Sequence, residues 1–362
     1  MDWRDKLTKP FIPEKDEAYV ETIQIDIPNK GIVDIKYEIP EKPTMQHEVD
    51  MWNDINSFET GAWNANNIGL KSGFDSIDRM FSGGLKPGFY VIAGDSHVGK
   101  TAICSQLATQ IADLNNDAFV MDFSLDDPKR DKMCRVIACS NKVLCDAVKM
   151  PTQYTHMPLM LARRMTGINK LRQSVGKYKI YDSTFSTYIE DIEDEILRIK
   201  LEFESKGIEK QIVVIIDNLH DLNIKSKSSS SENEKYDTIA QWCSDTATKF
   251  DIPFICTAEL RKQNGNLRPF VDEIRSAGKI KFEAKAIIMC YNEVHYKGEG
   301  ASVHFMRAGQ KQKQPILELH VAKNKIAGHK GRLYFEMYPE MARIEEADEQ
   351  SSKHYASLAF GG

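Results

Sequence analysis

The stretch Gly94-Asp95-Ser96-His97-Val98-Gly99-Lys100-Thr101 carries the sharpest chemical pattern in the sequence. It satisfies the spacing GxxxxGK[ST] of a phosphate loop (Walker A) and lies between an apolar strand pattern and the helical pattern TAICSQLATQIA. In that context the glycines let backbone N–H groups surround a phosphate, and the start of the helix adds its dipole. Lys100 is expected to reach the β- and γ-phosphate oxygens, and the Thr101 hydroxyl to take one position around Mg²⁺.

An acidic residue follows a second apolar run. Residues 212–216 are all aliphatic, and Asp217 comes directly after them. An Asp at the carboxyl end of a buried strand can order the water shell of Mg²⁺, the Walker B role. Taken alone, such an Asp would more often be a turn or cap residue. Because a phosphate loop is present in the same chain, the metal-binding interpretation becomes the preferred one. We therefore predict that Asp217 orders the water shell of Mg²⁺.

A basic cluster lies later in the chain. Arg275, Lys279 and Lys281 surround Gly278, and we call these four residues the basic track. The cations can neutralise phosphates while the glycine allows a nucleic-acid backbone to approach, and the absence of interleaved aromatics argues against base reading. The alternative is a solvated basic loop. The polar segment 224–235, with Lys225 and Lys227, is a second candidate, for which the solvated loop is the preferred interpretation.

The elements that must position these residues alternate between strand and helix patterns from about residue 66. Apolar strand patterns occur at 89–94, 118–123, 178–182, 212–217, 253–259 and 286–291. Continuous apolar runs with long crossovers predict a mostly parallel sheet in one α/β domain. Residues 317–323, 331–337 and 342–346 alternate in period two, which indicates antiparallel strands that extend this sheet. After residue 186, Thr187 and Glu190 form a capping-box pattern that predicts a helix start.

The two ends of the chain differ from this central region. Residues 1–43 mix charges, prolines and short β-branched runs, which predicts an extended arm or at most a small strand pair. The segment 44–65 is predicted to be a helix with a connector. The helix carries the apolar stripe Met45, Val49, Trp52 and Ile55, which could dock on another chain or pack on its own domain. The tail 347–362 is predicted to be disordered.

Composition restricts the class of protein. The chain has 362 residues, a formal net charge of -5 and 41% hydrophobic residues, enough for a large core. A globally basic nucleic-acid coat is therefore excluded, although a local basic strip is not. The seven cysteines show no CxxC spacing, and no apolar run is long enough to cross a membrane. These features predict reduced thiols, no membrane partner and a cytoplasmic location.

Five segments occur together in a familiar order. They are SGGLKPGFYVIAGDSHVGKTA, FSLDDPKRDKMCRVIA, IDNLHDL, RPFVDEIRSAGKIKFEAKAIIMCYNEVHY and VAKNKIAGHKGRLYFEM. Over residues 66–346 the chain resembles the C-terminal motor domain of DnaB-type replicative helicases, which has a RecA-like ATPase core. No counterpart of that family's N-terminal helical domain is visible. The helix at 44–58 stands where the family's linker helix would be, and the basic track falls where such helicases hold single-stranded DNA.

The resemblance implies a role for each matching position. Lys100 and Thr101 would bind ATP phosphates and Mg²⁺, Asp217 would serve Mg²⁺, and Lys323 keeps its family identity. Three positions depart from the family: Asp126 replaces a water-activating glutamate, Glu259 a glutamine that senses the γ-phosphate, and Lys325 an arginine finger. Each departure should slow hydrolysis, because the acid is shorter, the sensor adds negative charge, and lysine lacks the planar fork of arginine.

The resemblance thus predicts an ATP- and Mg²⁺-dependent DNA helicase. It would form a homo-oligomeric ring, expected to be a hexamer, that encircles and translocates on single-stranded DNA. Nucleotide would bind between subunits, and replication or repair partners could use the N-terminal arm. Two alternatives remain: a RecA-like recombination or repair ATPase that remodels DNA without unwinding it, and a nucleotide-gated oligomeric scaffold with weak hydrolysis.

Overall fold

The computed structural model describes residues 18–27, 31–63, 69–225, 231–261, 268–307 and 311–361. The chain divides into two compact units, residues 1–68 and 69–362. In the first unit, β1 (Tyr19–Ile27) and β2 (Gly31–Ile39) form an antiparallel pair, followed by α1 (Gln46–Trp63). Met45 and Ile55 of the predicted apolar stripe are more than half exposed. The first unit therefore does not bury the whole stripe.

The second unit is built on one large sheet. Its strands are β3 (Gly88–Gly94), β4 (Ala118–Ser124), β5 (Tyr178–Asp182), β6 (Gln211–Asp217), β7 (Pro253–Glu259), β8 (Ala286–Tyr291), β9 (His304–Met306), β10 (Lys313–Asn324), β11 (Gly331–Tyr338) and β12 (Arg343–Glu346). They follow the order β12-β11-β10-β8-β3-β7-β6-β4-β5, with β9 paired to β10. Strands β3 to β8 run parallel, and β9 to β12 are antiparallel. This confirms the predicted RecA-like α/β core and its antiparallel extension.

Helices cover both faces of this sheet. They are α2 (Asp75–Met80), α3 (Lys100–Leu114), α4 (Lys129–Asn141), α5 (Cys145–Lys149), α6 (Pro158–Gln173), α7 (Ile189–Ser205), α8 (Glu232–Lys249), α9 (Ala277–Glu283), α10 (Glu293–Lys297) and α11 (Glu349–Phe360). Alternate residues of each strand serve opposite faces. Val91 packs in the apolar cluster that contains α7 and α8, whereas Ile92 packs in the cluster that contains α3. The parallel strands are consequently apolar along their whole length.

Two local expectations were wrong. The tail predicted to be disordered forms α11, because Asp348 accepts a hydrogen bond from the Ser351 N–H (2.7 Å) and Tyr355 is buried in a cluster with Tyr334. The predicted capping box before α7 does not form. The helix begins after Tyr188, and the Glu190 carboxylate instead accepts a hydrogen bond from the backbone N–H of Lys225.

Two features of the composition are visible in the fold. Across the described ranges, no helix is both long and apolar enough to span a membrane. All seven cysteines are free thiols, and six of them are buried. The Sγ atoms of Cys243 and Cys256 lie 3.9 Å apart without a disulfide. The cysteines thus act as small core residues.

Candidate nucleotide site and basic track

The carboxyl ends of four neighbouring parallel strands form one edge of the sheet. Gly94 at the end of β3 pairs in register with Glu259 at the end of β7, and Ser124 on β4 pairs with Asp217 on β6. Beyond β4, the backbone N–H of Asp126 lies 3.4 Å from the Asp217 carbonyl oxygen. The fold thus brings the phosphate loop, Asp126, Asp217 and Glu259 to one edge, as predicted for a nucleotide site.

The phosphate loop is shaped by its two glycines. Gly99 has φ +120°, a conformation that side chains rarely adopt. At Gly94, a Cβ would come within 2.8 Å of Val98 Cγ2 and 2.9 Å of Cys290 Cβ, so no larger residue fits. No side chain caps the start of α3, and its first N–H groups can serve an anion. The loop is therefore a candidate phosphate cradle, with Thr101 in the first turn of the helix.

Lys100 is poised inside this cradle. Its side chain is 8% exposed, and its ammonium donates hydrogen bonds of 2.9 Å to the carbonyl oxygens of Gly94 and Asp95. These two bonds hold the charge over the loop. When a phosphate enters the cradle, its charged oxygens would replace the two carbonyl oxygens as acceptors for the Lys100 ammonium. Hydrogen bonds to a charged acceptor are stronger than those to a neutral carbonyl.

Asp217 is the candidate residue for Mg²⁺ at this site. Its side chain is buried, and Thr257 on β7 donates a 2.5 Å hydrogen bond to Oδ1. Helix α3 packs on β6, and burial together with the Asp217 charge raises the pKa of Cys104 on that helix. Mg²⁺ usually takes only one or two protein oxygens beside phosphate and water. The Thr101 hydroxyl and the Asp217 carboxylate are the candidates for these oxygens.

A buried ion pair that the sequence analysis missed lies behind the turn that carries Asp126. The Lys132 ammonium on α4 lies 3.1 Å from Asp122 Oδ1 on β4, and both side chains are 0% exposed. Tyr178 donates a 2.6 Å hydrogen bond to the other oxygen of Asp122. Nearer the surface, Arg135 pairs with Asp127 at 3.0 Å. Both ion pairs join β4, or the turn after it, to α4, and so they position Asp126.

Lys325 does not join this site. Its backbone N–H donates to the carbonyl oxygen of Lys285, whose ammonium in turn donates to the carbonyl oxygen of Pro87. Pro87 precedes β3, whereas the phosphate loop follows it. The seven residues of β3 span roughly 20 Å at about 3.3 Å per residue. Lys325 is therefore at the opposite edge of the sheet from the phosphate loop of its own chain.

Lys323 is engaged by the helix of the basic track. Its ammonium donates hydrogen bonds to the carbonyl oxygens of Lys281 and, at 3.0 Å, Phe282, in the last turn of α9. Burial and the neighbouring charge of Lys325 lower the pKa of Lys323 to about 8. The two lysines therefore repel one another while α9 holds the first of them.

Most of the basic track lies on a helix rather than in the predicted loop, because Gly278, Lys279 and Lys281 are in α9 and only Arg275 precedes it. Helix α9 begins at Ala277 because Asp237 on α8 accepts a hydrogen bond from the backbone N–H of Lys279 (3.0 Å). Gly278 allows this close approach, since a Cβ at that position would lie 3.2 Å from the same carboxylate. All three cations have partners within the chain. Arg275 pairs with Glu232, Lys279 donates to Gln241 (2.7 Å), and Lys281 pairs with Asp272 (2.7 Å).

The second basic candidate is only partly described. Lys227 lies outside the described residues. The Lys225 ammonium pairs with Asp191 on α7. The structure therefore places Lys225 against an acidic helix.

The parallel core, with the phosphate-loop motif after β3 and an acidic residue at the end of β6, has a RecA-like fold. Comparison with known proteins gives the family. Residues 69–346 match the family described as DnaB-like helicase C terminal domain, which is more than half of the chain. The chain belongs to the DnaB-like helicase family, and the predicted resemblance is confirmed.

Individual relatives are distant. The replicative DNA helicase DnaB of Geobacillus stearothermophilus is 23% identical over 261 residues, which cover 71% of this chain and 52% of that protein. The replicative DNA helicase DnaC of Bacillus subtilis (strain 168) is 23% identical over 235 residues, which cover 64% of this chain and 49% of that protein. The chain thus spans about half the length of the curated relatives it matches.

Solved structures share the fold. The ATPase domain of G40P superimposes with a TM-score of 0.69 at 22% identity, covering 83% of this chain and 99% of that one. A DnaB-like replicative helicase, solved in a study of its interactions with primase, gives a TM-score of 0.67 at 22% identity, covering 85% and 68%. At this identity the likeness shows the fold alone.

Proposed function

We propose that this chain is the motor of an ATP- and Mg²⁺-dependent DNA helicase that assembles as a ring, expected to be a hexamer, and translocates on single-stranded DNA. The observation that carries the proposal is the phosphate cradle at the edge where Asp126, Asp217 and Glu259 meet. Lys100 and the N–H groups of α3 would bind the phosphates of ATP. Asp217 and Thr101 would hold Mg²⁺, which supplies charge neutralisation at the transferring phosphoryl group.

Asp126 would act as the water-orienting base. It is exposed at the edge of the site, and its backbone is tied to that of Asp217. The carboxylate is one methylene shorter than the family's glutamate, so the attacking water must shift toward it or be reached through a second water. We therefore expect hydrolysis that is slower than in a site with glutamate.

The position of Lys325 supports assembly into a ring. Because roughly 20 Å of β3 separates it from the phosphate loop of its own chain, Lys325 can act only on the nucleotide of a neighbouring chain. Head-to-tail contacts of this kind close into rings. ATP would then be bound between subunits, and turnover would require assembly.

The basic track supports contact with a nucleic-acid backbone. Arg275, Lys279 and Lys281 lie on or next to one short helix, yet each is engaged by an acid or amide of the same chain. Phosphates of single-stranded DNA would replace these partners. Such contacts read charge and not sequence, so the affinity should be similar for all sequences and should fall with salt.

The first experiment tests the motor itself. Lys100→Ala should abolish ATP turnover and nucleotide-dependent assembly while the circular dichroism spectrum is unchanged, because it removes the cation placed on the β/γ-phosphates. The matched control is Lys353→Ala, at a lysine that is 75% exposed on α11. Undiminished hydrolysis in Lys100→Ala would refute the proposal. Unwinding of a forked duplex, compared with DNA-stimulated turnover alone, separates a helicase from a recombination or repair ATPase.

The second experiment tests the basic track. Replacing Arg275, Lys279 and Lys281 together by Ala should weaken single-strand binding uniformly across sequences. At about 0.7 counterions per contact, the slope of log K against log salt should become less negative by about 2 per subunit. The control replaces three lysines elsewhere on the domain, Lys142, Lys170 and Lys353. A loss confined to certain sequences would contradict backbone contact.

A nucleotide-gated scaffold is the second candidate. The charge of Glu259 beside the phosphate loop and the lysine in place of a finger both favour slow hydrolysis. This candidate predicts nucleotide-dependent assembly with negligible turnover in the presence of single-stranded DNA. Mass measurement with and without an ATP analogue and an oligonucleotide, combined with a turnover assay, distinguishes it from the motor.

A further inference from the structure

His220 connects the two sites described above. It lies in a short 3-10 turn just after Asp217, and the side chain of Asn218 accepts its backbone N–H at 2.7 Å, which fixes that turn. The imidazole is 7% exposed and packs edge-on against the ring of Tyr236 on α8, with centroids 4.8 Å apart. It is a buried polar ring to which the proposed hydrolysis assigns no role.

Both ring nitrogens of His220 are bonded to backbone. The N–H of Glu259 donates to Nδ1 at 3.2 Å, so Nδ1 carries the lone pair. Nε2 therefore carries the hydrogen and donates to the carbonyl oxygen of Arg275, also at 3.2 Å. Burial lowers the pKa of His220, which favours this neutral form. One rigid ring thus joins the end of β7 to the start of the basic track.

The segments on either side belong to different sites. Glu259 pairs with Gly94 of the phosphate loop, and Arg275 is the first cation of the basic track. The N–H of Arg275 also donates to the carbonyl oxygen of Glu259 (2.9 Å). The backbones of Glu259 and Arg275 are therefore joined twice, once directly and once through the His220 ring. If phosphate binding displaces the backbone of Arg275, the displacement would either move Glu259 or break a hydrogen bond, namely one made by His220 or the one from the Arg275 N–H to the Glu259 carbonyl oxygen.

We propose that His220 is a positioning residue that transmits occupancy of the basic track to the nucleotide site and so sets how strongly single-stranded DNA stimulates ATP turnover. The proposal rests on the proposed function, because it needs both ligands. It assigns the coupling to two hydrogen bonds of one side chain, which can be removed without altering Lys100, Asp217 or the cations of the track.

The test compares two replacements of His220. His220→Phe keeps a ring against Tyr236 but removes both nitrogens, whereas a His220→Gln amide can still accept from Glu259 and donate to Arg275. The readout is the ratio of ATP turnover with saturating oligo-dT to turnover without DNA. His220→Phe should lower this ratio by at least about fivefold, the lower end of usual couplings between sites, and His220→Gln should restore most of it. Tyr236→Phe, which loses only a hydroxyl bonded to the His220 carbonyl oxygen, is the control and should keep the wild-type ratio.

A second measurement needs no variant. In the wild type assembled with a non-hydrolysable ATP analogue, oligo-dT should change hydrogen exchange in peptides that contain Glu259. Any of three results would overturn the role of His220. They are an unchanged exchange pattern, a wild-type ratio of turnover with and without DNA in His220→Phe, and a loss of this ratio in His220→Gln equal to that in His220→Phe. A wild type whose turnover ignores DNA would instead refute the proposed function, and the coupling with it.

Discussion

The buried pair of Lys132 and Asp122 allows a stability prediction with a defined size. Burial alone would lower the pKa of Lys132, but the carboxylates of Asp122 and Asp217 outweigh it and raise that pKa, so the lysine is charged. Lys132→Met fills a similar volume but leaves Asp122 without its cation in a fully buried position. Breaking one side of such a pair costs about 3–5 kcal/mol, and we expect the free energy of unfolding to fall by that amount.

The double replacement decides whether the cost comes from the pair or from packing. Asp122→Asn with Lys132→Met removes both charges, and the Asn carbonyl can still accept the hydrogen bond from Tyr178. Replacing both members of a buried pair is often neutral, so the double variant should recover most of the loss. A coupling of about 2 kcal/mol or more between the two sites should then appear in the double-mutant cycle.

Urea unfolding followed by circular dichroism measures these differences, provided that the slope m stays constant among the variants. The control is the same Lys→Met change in the exposed pair of Lys353 with Glu349 on α11, which should leave the midpoint unchanged. The reasoning fails if Lys132→Met costs no more than this control, or if the double variant is as unstable as the single one.

Three further predictions concern catalysis, DNA binding and pH. Asp126→Glu should raise steady-state ATP turnover, and Lys325→Arg should raise it further. The two gains should not be additive, because both residues act on one transition state. Slower turnover in both variants would contradict this prediction. Glu232→Gln combined with Asp272→Asn should tighten binding of single-stranded DNA several-fold at low salt, because two cations of the basic track lose their partners. Fluorescence anisotropy measures this affinity. An unchanged affinity would show that these ion pairs do not compete with phosphate. Although burial alone would raise it, hydrogen bonds from arginine, tyrosine and lysine neighbours lower the pKa of Glu195 to about 2, so its contribution to stability is complete above about pH 4.5 and is lost as the pH falls toward 2. Thermal unfolding of Glu195→Gln should depend less on pH in this window than that of the wild type.

Local patterns were enough to find the candidate nucleotide site and to predict the core strands. The phosphate loop is a contiguous segment whose spacing expresses the chemistry of phosphate binding, so it could be found before any fold was known. The same holds for Asp217, because a buried parallel strand is apolar along its length and the acid marks its end. Helix α9 and the cap of α7 were not predicted, because Asp237 and Lys225, which shape them, lie far along the chain.

Only the tertiary structure decided which of these residues lie together. The sequence alone indicated that Lys100 and Asp217 could meet, because the ends of parallel strands share one edge, and the resemblance to the family added Asp126 and Glu259. It could not place Lys325 at the other edge, since that depends on how β10 pairs with β8 and on the length of β3. Partners such as Asp122 with Lys132, or Glu232 with Arg275, lie on different elements and leave no periodic signal. Burial and charge pairing are properties of the packed chain, so they appear only when those elements are brought into contact.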